Sequence, residues 1–214
     1  MKSDTAAARV MGRPREARAD RAILTAALEL MAARGVHELR MDDVAARAGV
    51  GKAAIYRRYR SKDALVAAAV AALVSEITVP DTGSTRADLL ALMRDAVELY
   101  TGPVAAGAMP SLVEAMSRNP GLADAVRDRF LAGRRAALRE VLGRGIERGD
   151  LAAKLDLELA LDVLAGPLFY RLLVTGGPID EELAEGVADL ILRGFAPRER
   201  SRQKSQKARK EKAQ

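Results

Sequence analysis

An all-α fold in two parts is predicted for this 214-residue chain, on three observations. Apolar residues recur at three- and four-residue spacing, and no segment shows the alternation of a strand. Hydrophobic content is 49% with only 3% aromatic and no tryptophan, so the core is aliphatic, dominated by Ala, Leu and Val, a mixture that favours helix. The run TVPDTGST at 78–85 gathers Pro, Gly, Asp, Ser and Thr; it reads as a linker between a small N-terminal and a larger C-terminal domain.

The elements follow in order. Residues 1–15 are Ala/Arg-rich without periodicity and are expected to form a flexible basic arm. Helical pattern begins after Pro14, with Ile23, Ala26, Ala27, Leu30 and Met31 on one face and Gly35 where a left-handed cap would end it. A short second helix is expected at about 42–48, with Asp42 and Asp43 in its first turn, where the helix dipole favours negative charge. Gly49 breaks it. A third helix covers 52–59, and Ser61 caps a fourth reaching about 77. Beyond the linker, helices are expected at 85–101, stopped by Gly102-Pro103, at 108–118, and at 120–149, opened by Asn119-Pro120 as an N-cap and a proline at the first helical position. Two more cover 156–174 and 179–195. The domains are thus 1–15, 16–77, 85–196 and a basic tail, 197–214, with no apolar residue larger than alanine after Pro197 and expected to be disordered.

Composition narrows the function. There is no cysteine and one histidine, His37, which excludes a disulfide framework and thiolate metal sites and leaves no histidine cluster. His37 is assigned no role. No phosphate loop, metal-ligand spacing or nucleophile with a paired base is present, so no enzyme, metal or cofactor is expected. The N-terminus lacks the apolar run of a signal peptide, and the best apolar stretch, 64–74, is too short to span a bilayer. A soluble cytoplasmic protein is expected. Net charge is +6, but residues 1–62 carry 14 Lys/Arg against 7 Asp/Glu, residues 63–196 carry 13 against 20, and residues 197–214 carry 8 against 2. A basic head on an acidic body suits a polyanion met by one part of the molecule.

Two short helices joined by AGVG after a longer helix have the punctuation of a helix-turn-helix. Ala45 allows a close crossing, Gly49 the turn, and Val44, Val50 and Ile55 a shared core. At about 100° per residue, Ile55 and Tyr59 mark the buried side of the third helix, and Ala53 and Arg57 face the opposite way. In a major groove that centre meets base edges and its flanks meet phosphates. Arg57 is the expected base reader, with guanine its natural partner; Ala53 and Ala54 allow close approach and suit a thymine methyl. Lys52, Tyr56 and Lys62 are placed for phosphates.

Residues 16–66, above all MDDVAARAGVGKAAIYRRYRSKDALV, closely resemble the DNA-binding domain of the TetR/AcrR family of transcriptional regulators. The resemblance rests on Val44-Ala45, Ala48 to Gly51, Tyr56 and Ser61-Lys62. It implies an all-helical homodimer with a three-helix head and a ligand-binding C-terminal domain, and it puts Gly51, Lys52, Ala53, Ala54, Tyr56, Arg58 and Lys62 at DNA-contacting positions. The family often has Thr where this chain has Arg40 and Ala54. Arg40 still reaches a phosphate as a charge, whereas Ala54 has lost a polar contact. GRPR at 12–15 resembles the core of a minor-groove arm, and an ordinary linker reads equally well.

RRAALREVLGRGIERGDL and LALDVLAGPLFYRLLVTGGPID resemble a common C-terminal domain of the same family, whose last two long helices form the dimer interface. Phe169, Leu172, Leu173, Leu190 and Ile191 are candidates for that contact, although an apolar face records burial and not its partner. Met93, Met109, Met116, Phe130, Leu164 and Tyr170 are candidates to line a ligand cavity, since methionine adapts to varied apolar guests; core packing is the alternative for each. The expected function is a sequence-specific DNA-binding regulator, a repressor released from a palindromic operator by a small molecule. A sequence-independent nucleic-acid or nucleoid-associated protein is the alternative.

Overall fold

A computed structural model of the chain describes residues 4–74 and 77–197, with side chains from residue 16 onward. Among the described residues all regular structure is helical: ten α-helices and two π-helical turns. None of these helices is long and apolar enough to cross a membrane. By packing, the chain falls into two units, one holding the residues before 75 together with Gly102–Ala132, the other Ile77–Thr101 together with the residues from Gly133 onward.

In the first unit, α1 runs Asp4–Glu38. It starts eleven residues earlier than the position after Pro14 that its periodicity suggested, in keeping with the helix propensity of the Ala6-Ala7-Ala8 stretch. Residues 4–15 of the expected arm thus carry helical backbone; their side chains, and residues 1–3, lie outside the described set. Gly35 turns the chain at φ 81, ψ 166, an extended positive-φ conformation and not the left-handed helical cap expected there; only glycine adopts it readily. The next amide, Val36 N–H, donates to Ser111 Oγ at 3.2 Å.

Helices α2 (Met41–Arg47) and α3 (Lys52–Arg58) follow. Their junction is a Schellman turn: Gly49 sits at φ 66, Gly49 N–H donates to Ala46 O at 3.2 Å, and Val50 N–H donates to Ala45 O at 3.0 Å. Val44, Ala45 and Ile55 are buried at the crossing, and Val50 is half-buried. Ser61 caps α4 (Lys62–Ala71), accepting from Ala64 N–H at 3.1 Å. That helix ends well short of 77.

Helices α6 (Pro103–Arg118) and α7 (Pro120–Val126) and the π turn Arg127–Leu131 complete this unit. Pro103 opens α6 directly at its first turn, with Gly102 as N-cap, so the helix begins five residues before the expected 108. Helix α6 packs along α1 closely enough that a Cβ on Gly107 would lie 3.0 Å from Ala32 Cβ. By packing, 102–132 of the expected 85–196 domain lie in the same unit as α1. Asn119 caps α7 through Leu122 N–H at 3.0 Å and donates to Asp63 Oδ2 at 2.8 Å.

The second unit contains α5 (Thr85–Thr101), α8 (Ala132–Arg148), α9 (Leu157–Tyr170), the π turn Arg171–Thr175 and α10 (Glu181–Gly194). The two π turns divide what local periodicity presents as continuous helices at 120–149 and 156–174. Asp156 and Asp180 cap α9 and α10. Leu89, Met93, Leu142, Leu161, Leu164 and Ala188 are buried in the core, and Tyr100 meets Phe169 with ring centroids 5.1 Å apart. A fully buried carboxylate, Asp88, fixes the linker to this unit: it accepts from Thr82 N–H at 2.8 Å and Thr82 Oγ1 at 2.7 Å, with Arg148 at 3.5 Å. Its acidity is set by opposed causes. Burial raises the pKa, but the two Thr82 hydrogen bonds and the Arg148 charge together hold it below the ordinary carboxylate value.

Candidate nucleic-acid interface

Helix α3 buries Ile55 against α2 and, just past its end, Tyr59 against α1, which turns its other side outward. Lys52, Ala53, Tyr56 and Arg57 are exposed on that side, together with Gly51 at the start of the helix and Arg60 beyond its end. Tyr59 fixes the pose: its hydroxyl donates to Asp20 Oδ1 of α1 at 2.7 Å. Burial, then the Asp20 hydrogen bond and charge, push the phenol pKa well up from its ordinary value.

The sequence-predicted contacts separate into three groups. Arg57 stands at the exposed centre, as the helical wheel places it, and among the described residues it forms no ion pair or side-chain hydrogen bond; the same holds for Arg40 and Arg60. Ala53 is exposed beside it, while Ala54 is half-buried. Lys52 and Tyr56 are exposed but engaged: Lys52 Nζ donates to Asp42 Oδ2 at 2.6 Å, and Tyr56 OH reaches Asp42 Oδ1 at 3.5 Å. The bond to Asp42 and its charge raise the Lys52 pKa, so Lys52 stays cationic throughout the neutral range. Lys62 Nζ donates to His37 O at 2.9 Å, tying α4 to the segment before α2.

Arg58 departs from the resemblance-based expectation. Its side chain is only 19% exposed, it donates to Ala54 O at 3.2 Å, and its Nε lies 4.0 Å from Asp20 Oδ1. The guanidinium is folded back along α3 toward α1 and does not stand on the outward face. Arg40 occupies the N-cap position of α2 without a side-chain cap bond, as a guanidinium carries no acceptor.

Two carboxylates that organise this face, Asp20 and Asp42, were not among the sequence-predicted residues. Asp42 was readable only as a first-turn acid favoured by the helix dipole. Its bond to Lys52 depends on how α2 and α3 cross, which no local pattern encodes. Among the described residues no group of three or more His, Cys, Asp or Glu side chains is disposed to hold a metal.

The expected ligand-lining residues divide between the units: Met109, Met116 and Phe130 in the first, Met93, Leu164 and Tyr170 in the second. Met93, Met109, Phe130 and Leu164 are buried in well-packed core, Met116 is half-buried, and Tyr170 is 59% exposed. A cleft of about 380 Å³ in the second unit is lined by other residues, including Ser84, Thr85, Arg86 and Asp150. Of the expected dimer residues, Phe169, Leu172 and Leu173 are half-buried and Leu190 is 55% exposed, but Ile191 is fully buried. Ile191 therefore faces its own unit's core. Leu159, Tyr170 and Val174 add to the exposed apolar surface of α9 and the π turn after it.

A family model described as "Bacterial regulatory proteins, tetR family" matches residues 23–69, and one described as "Tetracyclin repressor-like, C-terminal domain" matches 79–191. The chain is 33% identical over 185 residues to the uncharacterized HTH-type transcriptional regulator YdeS of Bacillus subtilis, covering 86% of this chain and 91% of that one. It is 32% identical over 173 residues to a protein of Mycobacteroides abscessus named DNA-binding transcriptional repressor TetR, covering 80% of this chain and 90% of that one. A crystal structure of the TetR family transcription regulator SCO0332 superposes with a TM-score of 0.65 at 31% identity, covering 84% of this chain and 99% of that one.

Proposed function

The chain belongs to the tetR family of bacterial transcriptional regulators, and on that premise we propose that it is a homodimeric repressor, bound to a near-palindromic operator until a small apolar molecule releases it. The observation that carries the reading is the outward face of α3, where Arg57 stands exposed and, among the described residues, unpaired beside Ala53, flanked by Lys52 and Tyr56. An unpaired guanidinium at the centre of a groove-sized helix suits bidentate bonding to guanine O6 and N7. Side chains on its flanks suit phosphates.

The dimer reading is supported by the apolar side chains that the second unit leaves in solvent. Tyr170, Val174 and Leu190 are 59%, 67% and 55% exposed on α9, the π turn after it and α10; α9 and α10 pack together in this unit. Exposed apolar groups on adjoining helices are the usual mark of a covered surface, and a second copy is the occupant a two-fold operator calls for. The ligand reading is supported by the family assignment of 79–191 and by Met93, buried in the aliphatic core of the second unit, since methionine adapts to varied apolar guests.

Selection of bound duplexes from a random-sequence pool by the purified protein tests this function. Enrichment of an inverted repeat with guanine at a fixed place in each half-site is expected, with a preference over random DNA of about 10³-fold or more. Strong binding with no enriched sequence would favour the sequence-independent alternative that the basic head and tail suggest.

A further inference from the structure

Asp42 places a carboxylate on the face that α3 presents. Its Oδ2 lies 2.6 Å from Lys52 Nζ and its Oδ1 lies 3.5 Å from Tyr56 OH, so one acid of α2 pairs with Lys52 and faces Tyr56 on the next helix. The fold does not require this. Lys52 and Asp42 are 71% and 46% exposed, and an ion pair so open to water adds little to stability. Two other carboxylates of this unit serve packing, Asp20 on the buried Tyr59 and Asp63 on Asn119, while Glu29 and Asp43 form open ion pairs with Arg47 and Arg34. Asp42 serves the α2 dipole as a first-turn acid, and its bond to Lys52 also sets its charge on the side a polyanion would approach.

We infer that Asp42 is a specificity-determining, positioning residue: it neutralises Lys52 toward random DNA and holds Lys52 in the pose that a matched site uses. This rests on the reading of α3 as the DNA-recognition helix. The two effects have different physical origins. Loose association with random DNA is driven by counterion release, in proportion to the phosphates neutralised; a lysine already paired with a carboxylate contributes little to it. Tight docking at a matched site requires fixed side chains. A lysine ammonium has three donors, so Lys52 can keep its bond to Asp42 and give another to a phosphate, with its long rotamer already chosen. Tyr56 OH lies 3.5 Å from the second oxygen, longer than an ordinary hydroxyl hydrogen bond, so the carboxylate faces this side chain without fixing it. Asp42 therefore weakens the unwanted complex and organises the wanted one.

Binding of Asp42→Asn, Lys52→Met and the double variant to a random-sequence duplex and to the duplex enriched by selection, over a range of salt, tests the inference. Asp42→Asn is expected to bind random DNA about fivefold more tightly and to steepen the salt slope by roughly one phosphate's worth, about 0.9. It should gain nothing on the enriched duplex, so the ratio of the two affinities falls. In the Lys52→Met background these changes should largely vanish, and Asp42→Glu, which keeps the charge, should retain the low random-DNA affinity. An unchanged or larger ratio in Asp42→Asn, or an equal fall in the Lys52→Met background, would overturn the inference and leave the DNA-binding function standing. Failure of the unmodified protein to bind either duplex would overturn both.

Discussion

Tyr59 and Asp20, thirty-nine residues apart in the chain, are joined by a hydrogen bond of 2.7 Å between the phenol and the carboxylate. This bond ties the end of α3 to α1 and so sets the angle at which the candidate recognition helix is displayed. Tyr59→Phe removes the donor and keeps the packed ring. A loss of about 1 kcal/mol in urea unfolding is expected. The pH dependence has a definite sign. The phenol pKa is raised above its ordinary value of 10.0, first by burial and then by Asp20. Its contribution is full below the ordinary value, where both folded and unfolded states hold the proton. Above it the unfolded chain ionises first, and stability declines as pH rises toward the folded value. The phenylalanine variant should lose stability less steeply over that alkaline range.

Arg57→Ala should relax base preference at one position of each half-site, at a cost of about 1–3 kcal/mol. Repeating the selection with the variant reads this out directly. An unchanged site would mean that the exposed centre of α3 does not face the bases.

Two glycines of α8 lie two residues apart and should respond in opposite directions to alanine. A Cβ on Gly145 would come within 2.7 Å of Thr85 Cγ2 and 2.9 Å of Leu151 Cδ1, whereas one on Gly143 meets nothing within 4 Å. Gly145→Ala is expected to destabilise by about 1–3 kcal/mol through overpacking. Gly143→Ala should stabilise by roughly 0.5–1 kcal/mol through helix propensity. Thermal melts of the two variants compare them within one helix.

Asp88→Asn should cost about 1–3 kcal/mol at neutral pH, since it replaces a fully buried carboxylate that receives Thr82 and faces Arg148. Because the folded pKa lies below the ordinary 3.8, the ionised form stabilises the native state above that value. The stabilisation is lost as pH falls through the folded value. Unfolding of the asparagine variant should accordingly show a flatter acid limb.

Leu190→Glu places a charge on a side chain that is 55% exposed in the single chain, so the monomer fold should be little affected. If this surface joins two copies, sedimentation should show dissociation, with dimer affinity weakened by roughly 2 kcal/mol or more.

Much of the architecture was legible because its causes are local. Ser61 and Asn119 announce helix starts through side chains that bond amides three residues on. The turn between α2 and α3 needs only a glycine at the right step. The outward placement of Arg57 follows from the period of one helix. What stayed hidden depends on partners distant in the chain. Arg58 looks like its basic neighbours until Asp20 of α1 draws it inward, and Asp42 looks like a dipole acid until α3 brings Lys52 to it. Ile191 and Leu190 adjoin in sequence, yet one is core and the other surface, a distinction that the packing of α10 on α5 decides. The π turns are equally silent, since they keep a helical pattern while adding a residue to the turn.

The seam between Ala32 and Gly107 bears on how such proteins can be recombined. The head is spelled by two separated stretches of chain, one before the linker and one from 102 to 132, and their contact leaves no room for a larger side chain at position 107. A chimaera that grafts the first 77 residues of this protein onto a relative's remainder would present α1 with a foreign α6, and any residue larger than glycine at the crossing would push the helices apart. Exchange of operator preference between relatives therefore calls for a graft with two junction pairs, carrying α6 and α7 along with the head.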